Sequence, residues 1–556
     1  MRNRPTSACS EATVLGQFAL ILLLLCLIGC AGTSSHTDII GPPPGPPNIS
    51  GISPSSGVSG ASVTISGANF GSPSGSNTVT FNGTQASVAN WSGSSIVVKV
   101  PSGATTGDVV VTVGGTASNG VKFTVVALPT GSIALSNFGF QCGPGNTQDC
   151  EGPGNTIVWP GTQAQPGLLR LHDAGTQWAV IDPVGGGSYV WTDLDAWLDL
   201  IAQKQPVSVS QVFTWVPCWA APTCSSPPTA PAGTNSPPTD LTTSGSPSFN
   251  NFVTALVQHC SPAGNCVSKY IKYYEMWNEW DLQYHWTGSM AQVYQMVAPA
   301  VAIIRKNVPN AVILMPSSTP SSDTKLGYLT DFQNWLNYEN TNGRISDWVD
   351  WHVYLTAQTN NQVQIDTPED QWSNYNANFL SVQYSTPGWS TTPWANTETN
   401  FNGSPPPGLN YTCPTSSTPN PPITFSAEDC TGMIVRWQLL HASNGGASVD
   451  WYKWNETIGL NSQYETAYYF MMQYLVGGKF AAPCSFTAGG GSSTWTCDFT
   501  EANGTTALWV WTPNEAGTTF TVPTGYVDYL DLSGNSTPVT AGSSITIGVQ
   551  PIMLEQ

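Results

Sequence analysis

Between about residues 131 and 480 the hydrophobic period of the chain keeps switching, from short strand-like runs to stretches that repeat at helical spacing. Leu194, Trp197, Leu198 and Ile201 recur every three or four positions, as do Phe249, Phe252 and Leu256, and then Val293, Met296, Val297, Ala300, Val301 and Ile304. This spacing gathers apolar side chains on one helix face. The run from Ala311 to Met315 follows at once and reads as a buried strand. Strand-then-helix alternation sustained over roughly 350 residues predicts a parallel α/β architecture, and at this length a (β/α)8 barrel.

The flanks have a different period. From 48 to 127 short alternating strands such as Val63-Thr64-Ile65, Val79-Thr80-Phe81 and Val109 to Val113 are separated by Gly, Ser and Asn turns, the pattern of a small β-sandwich. From 481 to 556 strands return, among them Ala507 to Trp511 and Ser544 to Ile547, and predict a second, C-terminal β-sandwich. Residues 30–47 carry Pro43-Pro44 and Pro46-Pro47 and read as a stiff linker. The expected fold class is therefore multidomain, an α/β barrel flanked by two β-sandwiches.

Charge is scarce. Lys+Arg 15 and Asp+Glu 34 make 9% of the 556 residues, against about 25% in an average protein. The net charge of −19 repels phosphate backbones, which argues against nucleic acid and leaves a neutral, hydroxyl-rich partner as the better match.

Arg2 and Arg4 precede an apolar run from about Val14 to Ile28, shorter than a bilayer span, as in an export signal over residues 1–29. Its end, Leu27-Ile28-Gly29-Cys30, resembles a bacterial lipobox, which implies lipid attachment at Cys30 and anchorage at the cell envelope. Ten further cysteines then remain, and an even number in an exported chain suggests disulfides. Sequential pairing is the simplest connectivity: Cys142 with Cys150, Cys218 with Cys224, Cys260 with Cys266, Cys413 with Cys430, and Cys484 with Cys497. No Cys-x-x-Cys pair or His cluster accompanies them, so no zinc site is expected.

In a barrel of this kind chemistry lies at the C-terminal ends of the strands. Four apolar runs end in polar residues: Leu168 to Asp173, Tyr273 to Trp280 closing in Asn278-Glu279, Trp348 to Tyr354, and Trp394 to Asn400 containing Glu398. Period two puts Asp350, His352 and Tyr354 on one face. Glu279 and Glu398 supply the carboxyl pair that glycosidic cleavage needs, one to protonate the leaving oxygen and one to attack. Trp215, Trp219, Trp280, Tyr284, Trp286, Trp394 and Trp451 are available either as sugar platforms or as core.

Two resemblances sharpen this reading. Ile52 to Gly57, Gly60, Ile65 to Gly71 and Val79 to Gly83 resemble an immunoglobulin-like IPT/TIG domain. Trp277-Asn278-Glu279, Glu398, the Phe213 to Ala220 run, expected as a strand, and the closing Gln550 to Glu555 resemble glycoside hydrolase clan A, in particular the families around family 39. That resemblance implies a retaining hydrolase of β-linked glycans or glycosides in which Glu279 is the acid/base and Glu398 the nucleophile. It implies that Asn278 binds the sugar 2-hydroxyl, that Arg170 and Tyr354 contact the nucleophile and hold it ionised, that His352 holds the sixth-strand histidine position, and that Trp454 lies under the bound sugar. On electrostatic grounds Glu279, facing a second carboxylate, is expected to have a raised pKa. No cofactor is implied, and the partner is a polysaccharide or oligosaccharide. A catalytically silent glycan binder and a transglycosylase are the competing functions.

Overall fold

The computed structural model describes residues 45–101, 103–126, 131–141, 151–152, 156–157, 159, 167–222, 224, 233–320, 327–355, 367–400, 411–412, 423–424, 426–452, 454, 462–489, 492–514 and 516–556. The lipobox with Cys30, and Cys142, Cys150 and Cys413, lie outside them. Among the described residues no helix is long and apolar enough to cross a membrane.

Strict alternation builds the N-terminal sandwich. In Ser62–Ala68 every second side chain is buried, and Val63 and Ile65 point inward with Ile96 and Val98 from the neighbouring strand. They meet Val79, Phe81, Val109, Val111 and Phe123 from the facing sheet, where Phe81 and Phe123 pack edge to face with centroids 5.0 Å apart. Ser56 Oγ donates to the carbonyl of Ser381 on the barrel, at 3.3 Å.

Eight parallel strands form the barrel: β1 (Phe138–Gln141), β2 (Leu168–Leu171), β3 (Ser208–Val212), β4 (Tyr273–Glu275), β5 (Val312–Leu314), β6 (Val349–His352), β7 (Trp394–Thr399) and β8 (Ser448–Trp451). Neighbours pair in chain order, and β1 also pairs with β8. Between β5 and β6 there is no ladder; the ring closes there through the isolated bridges Leu314–Trp348 and Ser318–Trp351. Gly139 in β1 is required by this packing, because a Cβ there would lie 1.7 Å from Oδ1 of Asp450 on β8.

The three amphipathic patterns become α1 (Thr192–Gln203), α2 (Pro247–Gln258) and α3 (Met290–Asn307), each burying its apolar stripe against the barrel. Ser246 caps α2 by accepting from the Phe249 N–H, and Ser289 with Gln292 forms a capping box on α3. Helices α4 (Gly327–Asn342), α5 (Ala377–Ser385), α6 (Ala427–Ser443) and α7 (Ser462–Leu475) follow β5 to β8. The Phe213 to Ala220 run is not a strand. β3 ends at Val212, and Trp215 takes a left-handed backbone (φ 56°) that a strand cannot accommodate.

Antiparallel sheets complete the C-terminus from Lys479 to Glu555. The strand Thr506–Trp511 is buried on both faces, with Trp509 and Trp511 joining the barrel core and Leu508 and Val510 a second cluster. Trp511 Nε1 donates to Glu369 (2.7 Å), which also pairs with Arg436 of α6 (3.1 Å). Three of the expected disulfides are formed, Cys218–Cys224, Cys260–Cys266 and Cys484–Cys497, and Cys430 is also disulfide-bonded.

Candidate active site

The polar strand ends converge on one fully buried cation. Arg170 of β2 has five N–H donors, and each has an acceptor. Nε donates to Glu275 Oε2 (2.8 Å), Nη2 to Glu275 Oε1 (3.0 Å) and to Asn278 Oδ1 (2.8 Å), and Nη1 to Gln141 Oε1 (2.7 Å) and to Glu398 Oε2 (2.6 Å). Burial acts to lower its pKa, but Glu275 and Glu398 outweigh burial and raise it well above the ordinary value, so the guanidinium is charged.

Glu398, near the end of β7, accepts a second hydrogen bond from the Tyr354 hydroxyl at its Oε1. Burial first, and then the charge of Glu398, push the Tyr354 phenol well above its ordinary pKa, so it remains a donor. His172, 4.0 Å from Glu398, is driven down to about 3 by burial and then by Arg170, and is therefore neutral. Gln141 Nε2 approaches its Nδ1 at 3.1 Å.

Glu279 follows β4 with a left-handed backbone (φ 44°), and its N–H donates to Ser317 Oγ at 2.9 Å. A side-chain residue in this region is strained, and the turn aims its carboxylate back across the barrel mouth. Oε1 lies 2.9 Å from His352 Nδ1 and Oε2 lies 3.1 Å from His285 Nε2. One oxygen of Glu279 and one of Glu398 lie within 4.8 Å of each other, with His352 between them. Both carboxylates keep an open edge, at 11% and 8% side-chain exposure.

The expected rise in the Glu279 pKa is corrected by this geometry. Burial does raise it, but the contacts with His285 and His352, their hydrogen bonds foremost, more than offset that and bring it below the ordinary carboxylate value. Behind His352 lies Asp350, whose acid burial pushes well above its usual range, with Glu275 adding to the shift. Thr397 Oγ1 sits 2.8 Å from both Asp350 oxygens and 3.1 Å from His352 Nε2.

Glu279, Glu398, Asn278, Arg170, His352 and Tyr354 are thus brought together. Trp454 is separate in character: it is buried, packed edge-on against Phe140 and Tyr468 with centroids 5.8 Å away in each case, and shows no open face. Among the aromatic candidates Trp286, Trp394 and Trp451 belong to the core, while Tyr284 and Trp219 are exposed. The sequence pattern did not single out Gln141, Glu275, His285 or Thr397 as site residues. Glu275 carried the one available signal, an acidic residue at the end of an apolar strand.

Two groupings, Glu275 with Asp350 and His352 and Glu279 with His352 and Glu398, bring potential ligand atoms within 4.8 Å of one another. Arg170 donates to a carboxylate in each, and its fixed charge opposes a cation there. No ligand set is assigned to either.

A barrel with paired carboxylates at its C-terminal mouth, flanked by two β-sandwiches, is the class this fold and site define. Residues 47–125 match the IPT/TIG domain family, and the chain carries that domain. Among solved structures the chain is similar to a family 39 glycoside hydrolase from Bacteroides cellulosilyticus WH2 (13% identity, 92% of this chain and 99% of that chain, TM-score 0.49). It is also similar to a glucosidase from Croceicoccus marinus (14% identity, 77% and 96%, TM-score 0.46). A family 44 endoglucanase from Clostridium thermocellum is a further neighbour (13% identity, 76% and 98%, TM-score 0.43). No curated protein matches the chain.

Proposed function

We propose that the protein is a retaining glycoside hydrolase acting on a β-linked glycan or glycoside, with Glu398 as nucleophile and Glu279 as acid/base. The observation that carries this reading is that one oxygen of Glu279 lies within 4.8 Å of one oxygen of Glu398, which places the two carboxyl groups on the short side of the known spacings. Inverting enzymes hold their carboxyl groups about 6.5–9.5 Å apart to admit a water, and retaining ones about 5–5.5 Å. The asymmetry of partners supports the division of roles. Glu398 is clasped by Arg170 and Tyr354 and so oriented for attack, whereas Glu279 is contacted by two imidazoles that can exchange protons with it.

In the first step Glu398 attacks the anomeric carbon while Glu279 gives its proton to the departing oxygen. In the second Glu279 takes a proton from water, which displaces Glu398 with a second inversion. Asn278, its oxygen held by Arg170 and its amide nitrogen 3.4 Å from His285 Nε2, is the residue assigned to a sugar hydroxyl. Lipidation at Cys30 would tether the enzyme to the cell envelope, where it meets polymeric substrate.

The test is the anomeric configuration of the first-formed product, followed by NMR during turnover of a β-linked polysaccharide panel. Retention is expected. Inversion would overturn the mechanism, and no turnover on any substrate would favour a glycan binder.

A further inference from the structure

The buried acid Asp350 has no part in that mechanism. Asp350 of β6 faces Thr397 on β7, Glu275 on β4, Arg170 on β2 and Asp450 on β8, with His352 two positions along its own strand. It is completely buried and touches no part of the open cleft. Its two oxygens are 2.8 Å from Thr397 Oγ1; that hydroxyl is 3.1 Å from His352 Nε2; and His352 Nδ1 is 2.9 Å from Glu279 Oε1. Asp350, Thr397 and His352 are each almost wholly excluded from solvent, so the chain of hydrogen bonds does not pass through bulk water.

We propose that Asp350 stores the proton that Glu279 delivers, passing it through the Thr397 hydroxyl and the His352 imidazole. The inference rests on the reading of Glu279 as acid/base.

Two arrangements of the same protons satisfy each link from Asp350 through Thr397 and His352 to Glu279. In the resting one Asp350 is the neutral acid and donates to Thr397 Oγ1, Thr397 donates to His352 Nε2, and His352 Nδ1–H donates to an ionised Glu279. In the delivering one the Asp350 O–H bond breaks as Thr397 gains that proton, and Thr397 gives its own to Nε2. Nδ1 releases its proton to Glu279, which is now the acid facing the leaving oxygen. One proton has moved from Asp350 to Glu279, His352 has exchanged tautomers without changing charge, and the sequence reverses when Glu279 deprotonates water.

This resolves the opposing environments of the two carboxyls. Burial favours the proton on Asp350, and the imidazole contacts favour an ionised Glu279. An acid held ionised in the free enzyme thus has a proton at hand when negative charge develops on the substrate oxygen. Asp350 and Thr397 are positioning residues in this scheme, because neither reaches the substrate.

The experiment compares kcat/KM for a phenyl glycoside, whose leaving group needs protonation, with that for a dinitrophenyl glycoside, whose leaving group needs little. The native protein, Asp350→Asn, Thr397→Val, Thr397→Ser and Glu279→Gln are measured. The expected result is that the phenyl-to-dinitrophenyl ratio falls about tenfold or more in Asp350→Asn and in Thr397→Val. Thr397→Ser, which restores the hydroxyl, should recover the native ratio, and the alkaline limb of the Asp350→Asn profile should move to lower pH. A ratio and profile unchanged in either variant, or equal losses on both substrates, would overturn the relay. An unchanged ratio in Glu279→Gln would instead overturn the acid/base assignment itself.

Discussion

Arg170 donates through Nη1 to Glu398 at 2.6 Å while Nε and Nη2 clasp Glu275, so the Glu398 carboxylate is located by a cation that is itself fixed from the opposite side. No lysine could reproduce this, since its single ammonium cannot spread donors over Glu275, Glu398, Gln141 and Asn278.

Replacing that cation leaves two buried carboxylates uncompensated. Arg170→Met is expected to cost on the order of 3–5 kcal/mol of stability, read as a lower urea midpoint with an unchanged m-value. A loss below about 1 kcal/mol would mean that Glu275 and Glu398 simply take up protons in its absence.

Glu398 should carry the sugar between the two steps. Incubation with a fluorinated glycoside that slows the second step should add one glycosyl unit to the peptide containing Glu398, detected by mass spectrometry. Glu398→Gln should lower kcat by at least about 10³-fold. An adduct on a different residue would reassign the nucleophile.

Removing the Glu279 carboxyl should leave a site that small anions can serve. Glu279→Gln is expected to lose about 10²–10⁴-fold with poorly departing aglycones. Azide should restore turnover of an activated substrate and yield a glycosyl azide of unchanged anomeric configuration. If azide yields the opposite configuration, Glu279 does not flank the anomeric carbon as the geometry requires.

Acid sensitivity should come in part from His441. Burial drives this group in α6 down to about 3; its Nδ1 lies 2.8 Å from the Trp437 carbonyl and its Nε2 3.3 Å from the Asn396 amide. Between about pH 6.5 and 3 the unfolded chain binds a proton that the folded chain refuses, so stability rises with pH across this window and falls on acidification. His441→Gln should flatten the slope of unfolding free energy by up to about 1.4 kcal/mol per pH unit there. An unaltered slope would show that the ring protonates equally in both states.

What could be read from the sequence follows from the range of the interactions. The helices at Leu194, Phe249 and Val293 were legible because a helix face is written in spacings of three and four. Glu279 and Glu398 were legible because each ends an apolar run in a chain with little charge. The partners of Arg170 were not, because Glu275 lies 105 positions away and Glu398 lies 228 away, and no local period marks a cation's acceptors. The direction of the Glu279 pKa was missed for the same reason: His285 and His352 were visible as residues, but not as the two donors that close on it.

The one gap in the ring of ladders, between β5 and β6, has a mechanical meaning. Ser317, which holds the backbone of Glu279, stands just past β5, and His352 ends β6. The Glu279–His352 contact therefore straddles the least stitched joint of the cylinder, while Arg170 stands on a strand with unbroken ladders on both sides. Thermal breathing at that joint would stretch the Glu279–His352 contact first, while the clasp of Arg170 on Glu275, carried by the unbroken ladders from β2 through β3 to β4, would yield last.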